Sequence, residues 1–233
     1  NLLASHHIKN ILIEKNSSTV KEPRAVSIDD ESLRVIQSLG LINQFINKIS
    51  LNCGSYYISP NGRIFATINP SSKLYGFPKR NSFDQPDLED LLLKNLLVKY
   101  KVNVFFDTKF LNFYQKKDMV CSKVISKKNK FQINSKFIVG CDGANSILRK
   151  LLDIKLLGSS YKEKWLILDL FNSSNKFRHT QVFCDVRRPC ITLPGPRGIR
   201  RYEFKLHKSE NEKDCLNFVF IKQLLTQKGE NDY

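Results

Sequence analysis

The most informative local pattern in the sequence is FIVGCDGANS, at residues 137–146. An apolar segment at 137–141 runs into Asp142 and Gly143, and leucines at helical spacing follow from Leu148. The pattern predicts a strand, a tight turn and the start of a helix. An acid at the carboxyl end of a parallel strand, next to a helix N-terminus, marks the place where α/β folds bind ligands. An ordinary turn in which the aspartate caps the helix explains the same residues equally well.

A second apolar run that ends in an acid lies near the start of the chain, at Ile11-Leu12-Ile13-Glu14, after residues with the character of a helix end. This order is typical of the second half of a βαβ unit. There an acid about 20 residues after a glycine-rich turn accepts hydrogen bonds from ribose hydroxyls. The strand and Gly-x-Gly-x-x-Gly turn of the first half do not occur in the 233 residues, and the first residue is Asn1 rather than Met. We therefore expect a fragment whose first half lies upstream; a solvated loop carboxylate is the alternative for Glu14.

The rest of the chain alternates helical and strand-like patterns and then changes character. Capping residues and apolar spacing predict helices from Ser27 to Gly40 and from Pro86 to Tyr100. Strand-like segments lie at 55–68, around a turn at 60–62, and at 102–106, 109–114, 119–125 and 130–133. After Gly158 the pattern predicts antiparallel strands at 165–171, 180–184, 190–193 and 200–206, and a helix near 220–225. This change indicates a second domain.

The excess of basic residues does not by itself indicate a nucleic-acid partner. There are 38 Lys and Arg against 22 Asp and Glu, for a net charge of +16. Only 11 of these cations are Arg, the residue that dominates specific phosphate and base recognition, and the lysines are scattered. We interpret the charge as a solvated basic surface and predict no nucleic-acid partner; a basic nucleic-acid-binding module remains the less favoured alternative.

Targeting and metal-binding patterns are not found in the sequence. It has no run of about 18 apolar residues and no secretory signal pattern, so we predict no membrane partner. The six cysteines form no Cys-x-x-Cys pair and the four histidines have no ligand spacing to them. The sequence therefore predicts no metal site and reduced, buried thiols in a cytoplasmic protein.

Five stretches of the chain resemble a known family. The sequence is similar to the class A flavin-dependent aromatic hydroxylases of the para-hydroxybenzoate hydroxylase type, and most similar among them to 3-(3-hydroxyphenyl)propionate hydroxylases. The similar stretches, in family order, are PRAVSIDDE at 23–31, RNSFDQP at 80–86, VGCDGA at 139–144, CDVRRP at 184–189 and RRYEF at 200–204. The Asp-Gly pair occurs in many flavin hydroxylases, whereas the first and last stretches are more specific.

The resemblance implies an α/β fold with a Rossmann-like, three-layer FAD-binding domain, incomplete at its N-terminus, and a β-sheet substrate domain truncated at its C-terminus. We place the FAD-binding domain at 1–158, with 50–82 contributing to the substrate side, and the substrate domain at 159–233. By position in the family motifs, the expected cofactor-binding residues are Glu14 for the adenosine ribose, Arg24 near the flavin and pyrophosphate, Gln85, Val104 on the strand facing the adenine, and Asp142 with Gly143. For Arg80 and Arg200, a structural ion pair is at least as good an explanation as a ligand contact.

The family chemistry implies FAD as cofactor, NAD(P)H and O2 as co-substrates and a phenolic aromatic acid as substrate. The protein contributes binding, orientation and exclusion of water. No catalytic residue is predicted, and a homodimer is possible for the full-length protein. Because the chain lacks both the glycine-rich turn and the later Gly-Asp motif, a catalytically inactive remnant of such a flavoprotein is the main alternative.

Overall fold

The computed structural model describes residues 1–230. Its strands are β1 (Ile11–Ile13), β2 (Ser27–Asp29), β3 (Ser55–Ile58), β4 (Ile64–Ile68), β5 (Arg80–Ser82), β6 (Asn103–Phe105), β7 (Thr108–Lys116), β8 (Met119–Ser126), β9 (Asn129–Ser135), β10 (Trp165–Leu170), β11 (Thr180–Phe183), β12 (Cys190–Pro194) and β13 (Arg200–Lys205). Its α-helices are α1 (Leu2–Ser5), α2 (Asp30–Ser38), α3 (Ile42–Phe45), α4 (Gln85–Val98), α5 (Ile147–Leu151), α6 (Glu212–Cys215) and α7 (Phe218–Thr226). Two short 3-10 turns lie at Ile46–Lys48 and Pro196–Gly198.

Contacts between residues divide the chain into two compact units. Unit 1 comprises residues 1–20 and 92–160, and unit 2 comprises residues 21–91 and 161–233. Each unit is therefore assembled from two separate segments of sequence. The division falls inside α4, whose first residues belong to unit 2 and whose last residues belong to unit 1.

Unit 1 contains two small sheets. Strands β1 and β6 form a parallel pair in which Leu12 lies opposite Val104. Strands β7, β8 and β9 form an antiparallel meander, as their alternating pattern and lysine-rich turns predict. The buried side chains of this unit include Leu96, Val124 and Leu148.

Unit 2 is organised around a six-stranded mixed sheet in the order β10-β13-β12-β11-β3-β4. All neighbouring pairs are antiparallel except β11 and β3, which are parallel. The hairpin β3–β4 thus joins a sheet whose other strands come from the second half of the chain. A separate antiparallel pair, β2 and β5, precedes α2 and α4 in the sequence.

The two faces of the six-stranded sheet differ. On one face Tyr202 and Phe204 pack with Leu224 and Leu225 of α7 and are fully buried. Because side chains alternate along a strand, the residues between them lie on the opposite face. We call this the open face; its members on the three strands β10, β13 and β12 are Trp165, Ile167, Asp169, Arg201, Glu203, Lys205, Ile191 and Leu193.

The local predictions are largely confirmed. The helices predicted from Ser27 and from Pro86 form as α2 and α4, although Ser27–Asp29 form strand β2 instead of helix. Helix α2 is capped by the Asp29 carboxylate, which accepts from the Ser32 N–H at 2.8 Å. The turn at 60–62 joins β3 and β4, and the four strands predicted after residue 158 are present. Four of the six cysteines are buried as predicted, but Cys141 and Cys184 are exposed.

The strand predicted at 137–141 is wrong. These residues are irregular, and Phe137 and Val139 are 83% and 73% exposed. An apolar run has the propensity of a strand, but it becomes one only where a neighbouring backbone supplies hydrogen-bond partners. Among residues 1–230, no strand pairs with this segment.

Candidate functional site

Glu14 lies at the carboxyl end of the parallel pair in unit 1. Its backbone N–H donates to the Phe105 carbonyl at 2.9 Å, which continues the pairing of β1 with β6 beyond Ile13. One carboxylate oxygen, Oε1, accepts from the backbone N–H of Asn16 at 2.8 Å and so orders the following turn. Within the described chain the other oxygen has no hydrogen bond. A carboxylate with a free oxygen at this end of parallel strands suits ribose hydroxyls, and Val104 lies on the adjacent strand.

Asp142 caps the short helix α5. Its Oδ1 accepts from the Ser146 hydroxyl, and its Oδ2 accepts from the backbone N–H groups of Ile147 at 2.7 Å and Leu148 at 3.3 Å. The hydrogen bond from Ser146, with those from the backbone, holds the pKa of Asp142 below its usual value. The capping turn considered for this motif is therefore present.

Gly143 follows Asp142 in the left-handed region, with φ of +78°. A side chain at that position would meet no heavy atom within 4 Å, so the backbone conformation, and not a lack of space, calls for glycine.

The capping turn leads to a stability prediction. Ser146 Oγ accepts from the Arg149 N–H at 3.0 Å, which makes Ser146 the N-cap of α5. We expect Ser146→Ala and Asp142→Ala each to lower the free energy of unfolding by about 1 kcal/mol, because each leaves helix N–H groups without an acceptor. Chemical denaturation measures this. Asn145→Ala, an exposed neighbour, is the control, and equal stability of all three variants would contradict the capping role.

Arg24 and Gln85 meet in unit 2. Oε1 of Gln85 accepts from the backbone N–H groups of both Arg24 and Ala25 at 2.8 Å, and its Nε2 donates to Glu89 at 2.6 Å. Gln85 therefore holds the backbone around Arg24, with only one amide N–H left for a ligand. The Arg24 guanidinium makes no hydrogen bond within the described residues, so its charge is available for an anion such as a phosphate.

The same loop is held from its carbonyl side by Arg201. This guanidinium donates to the carbonyls of Arg24, at 3.0 Å, and Pro23, and it forms a two-pronged ion pair with Asp169 at 2.8 Å on both arms. The Arg201 side chain is only 2% exposed. The loop at 23–25 is thus fixed by Gln85 on its N–H side and by Arg201 on its C=O side.

A pocket in unit 2 borders this loop. It is lined by Pro23, Val26, Phe83, Asp84, Asp169, Leu193, Pro194, Gly195, Pro196, Ile199 and Arg201. Arg197, in the turn after β12, pairs with Asp84 at 2.8 Å and with Asp87, although its own φ of +56° is unfavourable for a non-glycine residue. Burial, and then the proximity of Asp87, raises the pKa of Asp84 despite the neighbouring Arg197.

Arg80 and Arg200 are structural, but neither is in an ion pair within residues 1–230. Arg80 donates to the hydroxyls of Ser55 and Thr180. Arg200, 2% exposed, donates to the Thr192 hydroxyl at 2.8 Å and to backbone carbonyls of the loop before β11. The ion pair considered for Arg200 as an alternative to a ligand contact is made instead by the next residue, Arg201.

Sequence reasoning missed Arg201 and Asp169. The alternation of strand side chains predicts that Arg200 and Arg201 lie on opposite faces, so the two could not share one role. Nothing local, however, indicates which face borders the loop at 23–25. In unit 1, Val104 lies on β6 opposite Leu12, and Glu14 follows the paired strand β1. Arg24 and Gln85 come together in unit 2. Asp142 and Gly143 form their own turn in unit 1.

Comparison with known proteins defines the class. A family model described as "FAD binding domain" matches residues 1–224. A 3-(3-hydroxy-phenyl)propionate/3-hydroxycinnamic acid hydroxylase of Mycolicibacterium smegmatis is 29% identical over 225 residues, which are 97% of this chain and 40% of that protein. The chain therefore spans about two fifths of the length of this curated relative.

Solved structures share the fold. The p-nitrophenol 4-monooxygenase PnpA of Pseudomonas putida DLL-E4 matches with a TM-score of 0.84 at 16% identity, over 95% of this chain and 56% of PnpA. The flavin-dependent monooxygenase PieE, solved with FAD and substrate, matches with a TM-score of 0.83 at 14% identity, over 97% of this chain and 44% of PieE. The fold is the mixed α/β fold of FAD-binding monooxygenases. The chain belongs to the FAD-binding domain family, as the resemblance implies.

Metal-binding groups and membrane-spanning helices are both absent from the described residues. Among residues 1–230 there is no group of three His, Cys, Asp or Glu side chains placed to hold a metal ion. In the same part of the chain no helix has both the length and the apolar character needed to cross a membrane.

Proposed function

We propose that this chain is the FAD-holding and substrate-facing part of a monooxygenase that hydroxylates a phenolic aromatic acid with NAD(P)H and O2. The observation that carries the proposal is the family match over residues 1–224. It is supported by the loop at 23–25, which presents the unpaired charge of Arg24 beside a pocket and is held on both sides by Gln85 and Arg201. The name of the Mycolicibacterium smegmatis relative supports the substrate class.

The residues present fit FAD in chemical type. The free carboxylate oxygen of Glu14 suits the ribose hydroxyls, and the Arg24 guanidinium suits the pyrophosphate or the electron-rich end of the flavin. Val104 offers strand backbone, and Asp142 and Gly143 shape the turn before α5. When bound, FAD supplies the redox chemistry and the reaction with O2. The protein binds and orients the reactants and keeps water away.

The open face of the six-stranded sheet is the surface we propose for the aromatic ring of the substrate. Ile167 is 50% exposed and Trp165 is 40% exposed there, so the face still has apolar area to bury. Burial of apolar area against a ring is the main source of affinity in small-molecule sites. A homodimer and a cytoplasmic location belong to the same proposal; the six free cysteines are typical of a reducing compartment.

FAD titration of the purified chain tests the cofactor role. We expect saturable quenching of flavin fluorescence, and about a tenfold weaker Kd for Glu14→Gln, because a charge-assisted hydrogen bond becomes a neutral one. Asp118→Asn, which removes an exposed acid of the same unit, is the matched control. Failure of the unsubstituted chain to bind FAD would contradict the proposal.

The same protein tests the activity. Phenol-stimulated oxidation of NADH or NADPH by the FAD-loaded chain supports the monooxygenase. Weak or absent FAD binding, together with no such oxidation, supports the inactive remnant.

A further inference from the structure

Glu203 occupies the middle of the open face. In the sheet register it lies between Ile167 on β10 and Ile191 on β12, so apolar side chains flank it on both sides. Its side chain is partly buried, and within the described residues its carboxylate makes no hydrogen bond and no ion pair with another protein group. Because no buried side-chain oxygen in this part of the chain lacks a partner, the carboxylate oxygens of Glu203 reach solvent. A carboxylate that lies between apolar side chains and is hydrogen-bonded only by water is available to a ligand, because a ligand donor can replace the water.

The neighbouring charges do not satisfy Glu203. Burial raises the pKa of Glu203, Arg201 lowers it and Asp169 raises it further, with a net increase. Arg201 has five N–H groups, and four of them already donate to Asp169, Pro23 and Arg24. Lys205, the next residue of β13 on this face, pairs with Glu163 at 3.7 Å. The Glu203 carboxylate is thus an acceptor that the fold leaves unused.

We propose that Glu203 is a specificity residue that accepts a hydrogen bond from a hydroxyl on the aromatic ring of the substrate. This inference rests on the proposed function, because it places the substrate ring on the open face. The two isoleucines beside Glu203 would contact the ring, and the carboxylate would accept the hydrogen bond from the ring hydroxyl. A bound ring would displace water from the carboxylate, so an analogue that lacks the hydroxyl would leave the carboxylate unpaired and would bind more weakly.

The charges of the face also fix the orientation of an acidic substrate. Glu203 and Asp169 are both acidic, and the one buried cation between them, Arg201, is committed to Asp169. The carboxylate of a phenolic acid would be repelled here, whereas a neutral hydroxyl would donate. The hydroxyl therefore points toward Glu203 and the acid group points away from it.

The chain contains a reporter beside this residue. Trp165 is its only tryptophan, and it lies on the open face opposite Lys205, diagonal to Glu203. Diagonal positions in an antiparallel pair are about 7–8 Å apart, so a ring bound at Glu203 changes the surroundings of the indole. Tryptophan fluorescence thus follows binding at this face without FAD.

Two probes that differ in one hydrogen-bond donor form the test. Phenol carries the ring hydroxyl, and methoxybenzene keeps the ring and the oxygen but has no O–H. We expect the unsubstituted chain to bind phenol at least tenfold more tightly than methoxybenzene. Glu203→Gln should weaken phenol about tenfold and leave methoxybenzene unchanged, because the neutral amide is the weaker acceptor. Glu163→Gln, another glutamate near Trp165, should change neither affinity.

Three results would overturn the inference: equal affinity of the unsubstituted chain for the two probes, no response to either, or a parallel loss of both in Glu203→Gln, which would indicate a structural role. Each of these is compatible with normal FAD titration and so leaves the cofactor proposal standing. Failure of FAD binding, in turn, is observed in a separate measurement that contains neither probe.

Discussion

Arg201→Ala should lower the free energy of unfolding by about 3 kcal/mol, the lower end of the range for breaking a buried ion pair. The substitution leaves Asp169 without its partner and removes the donors to the carbonyls of Pro23 and Arg24. The loss is at the lower end because the Asp169 side chain is 21% exposed and water can partly replace the lost cation. Chemical denaturation measures the loss.

A surface pair provides the control for Arg201. Arg187 also forms a two-pronged pair with an aspartate, Asp185, but its side chain is 80% exposed. Arg187→Ala should be nearly neutral, because solvent screens an exposed pair. In a double-mutant cycle, Arg201→Leu with Asp169→Leu should be less destabilising than Arg201→Leu alone, since no unpaired carboxylate remains. Similar stability of the Arg201 and Arg187 variants would show that burial does not decide the effect.

Glu230→Gln is expected to destabilise unit 2 by about 2–3 kcal/mol, as loss of charge-assisted hydrogen bonds in a buried site does. The Glu230 side chain is fully buried near the end of the described chain. It accepts from the hydroxyls of Ser173, Ser174 and Tyr202, and so fixes the loop after β10 against the strand β13. The amide can replace only part of these bonds, because its nitrogen cannot accept.

The acid dependence of stability tests the charge of Glu230. Burial raises its pKa, but the hydrogen bonds from Ser173, Ser174 and Tyr202 outweigh this and the pKa lies below the usual value. An acid with a lowered folded-state pKa stabilises the fold above its unfolded pKa, about 4.3, and this contribution is lost as the pH falls through the folded value.

Denaturation of both proteins at neutral and acid pH shows the effect. The difference in stability between the unsubstituted chain and Glu230→Gln should be largest near neutral pH and shrink below about pH 4. Glu22→Gln, an exposed acid, is the control. A difference that stays constant with pH would show that Glu230 contributes through packing and not through charge.

Helix and strand positions were predictable because their signals are local. Asp29 caps a helix through an N–H three residues ahead, and the turn at 60–62 joins strands that flank it directly. The acid after the first strand and the Asp-Gly turn were also recognisable in the sequence. Each of these features depends on neighbours within a few residues, so each leaves a pattern in a short window.

Two features could not be predicted from neighbouring residues: the irregular segment at 137–141 and the different partners of Arg200 and Arg201. The first has the composition of a strand, yet a strand requires a partner backbone that no local pattern specifies. For the second, alternation separates the two arginines, but only the fold shows that Arg200 bonds a neighbouring loop while Arg201 pairs with Asp169 and binds the carbonyls of 23–24.

The amino-acid order therefore settles the helices, most strands, the capping turns and, through its motifs, the family. Tertiary structure alone decides which groups have partners. The partners of Arg201 lie 32 and 178 residues away in the chain, and those of Glu230 lie 28 to 57 residues away. Hydrogen bonds and ion pairs act over a few ångströms of space and are independent of separation along the chain. For that reason the unused acceptor on Glu203 becomes visible only once the sheet has formed.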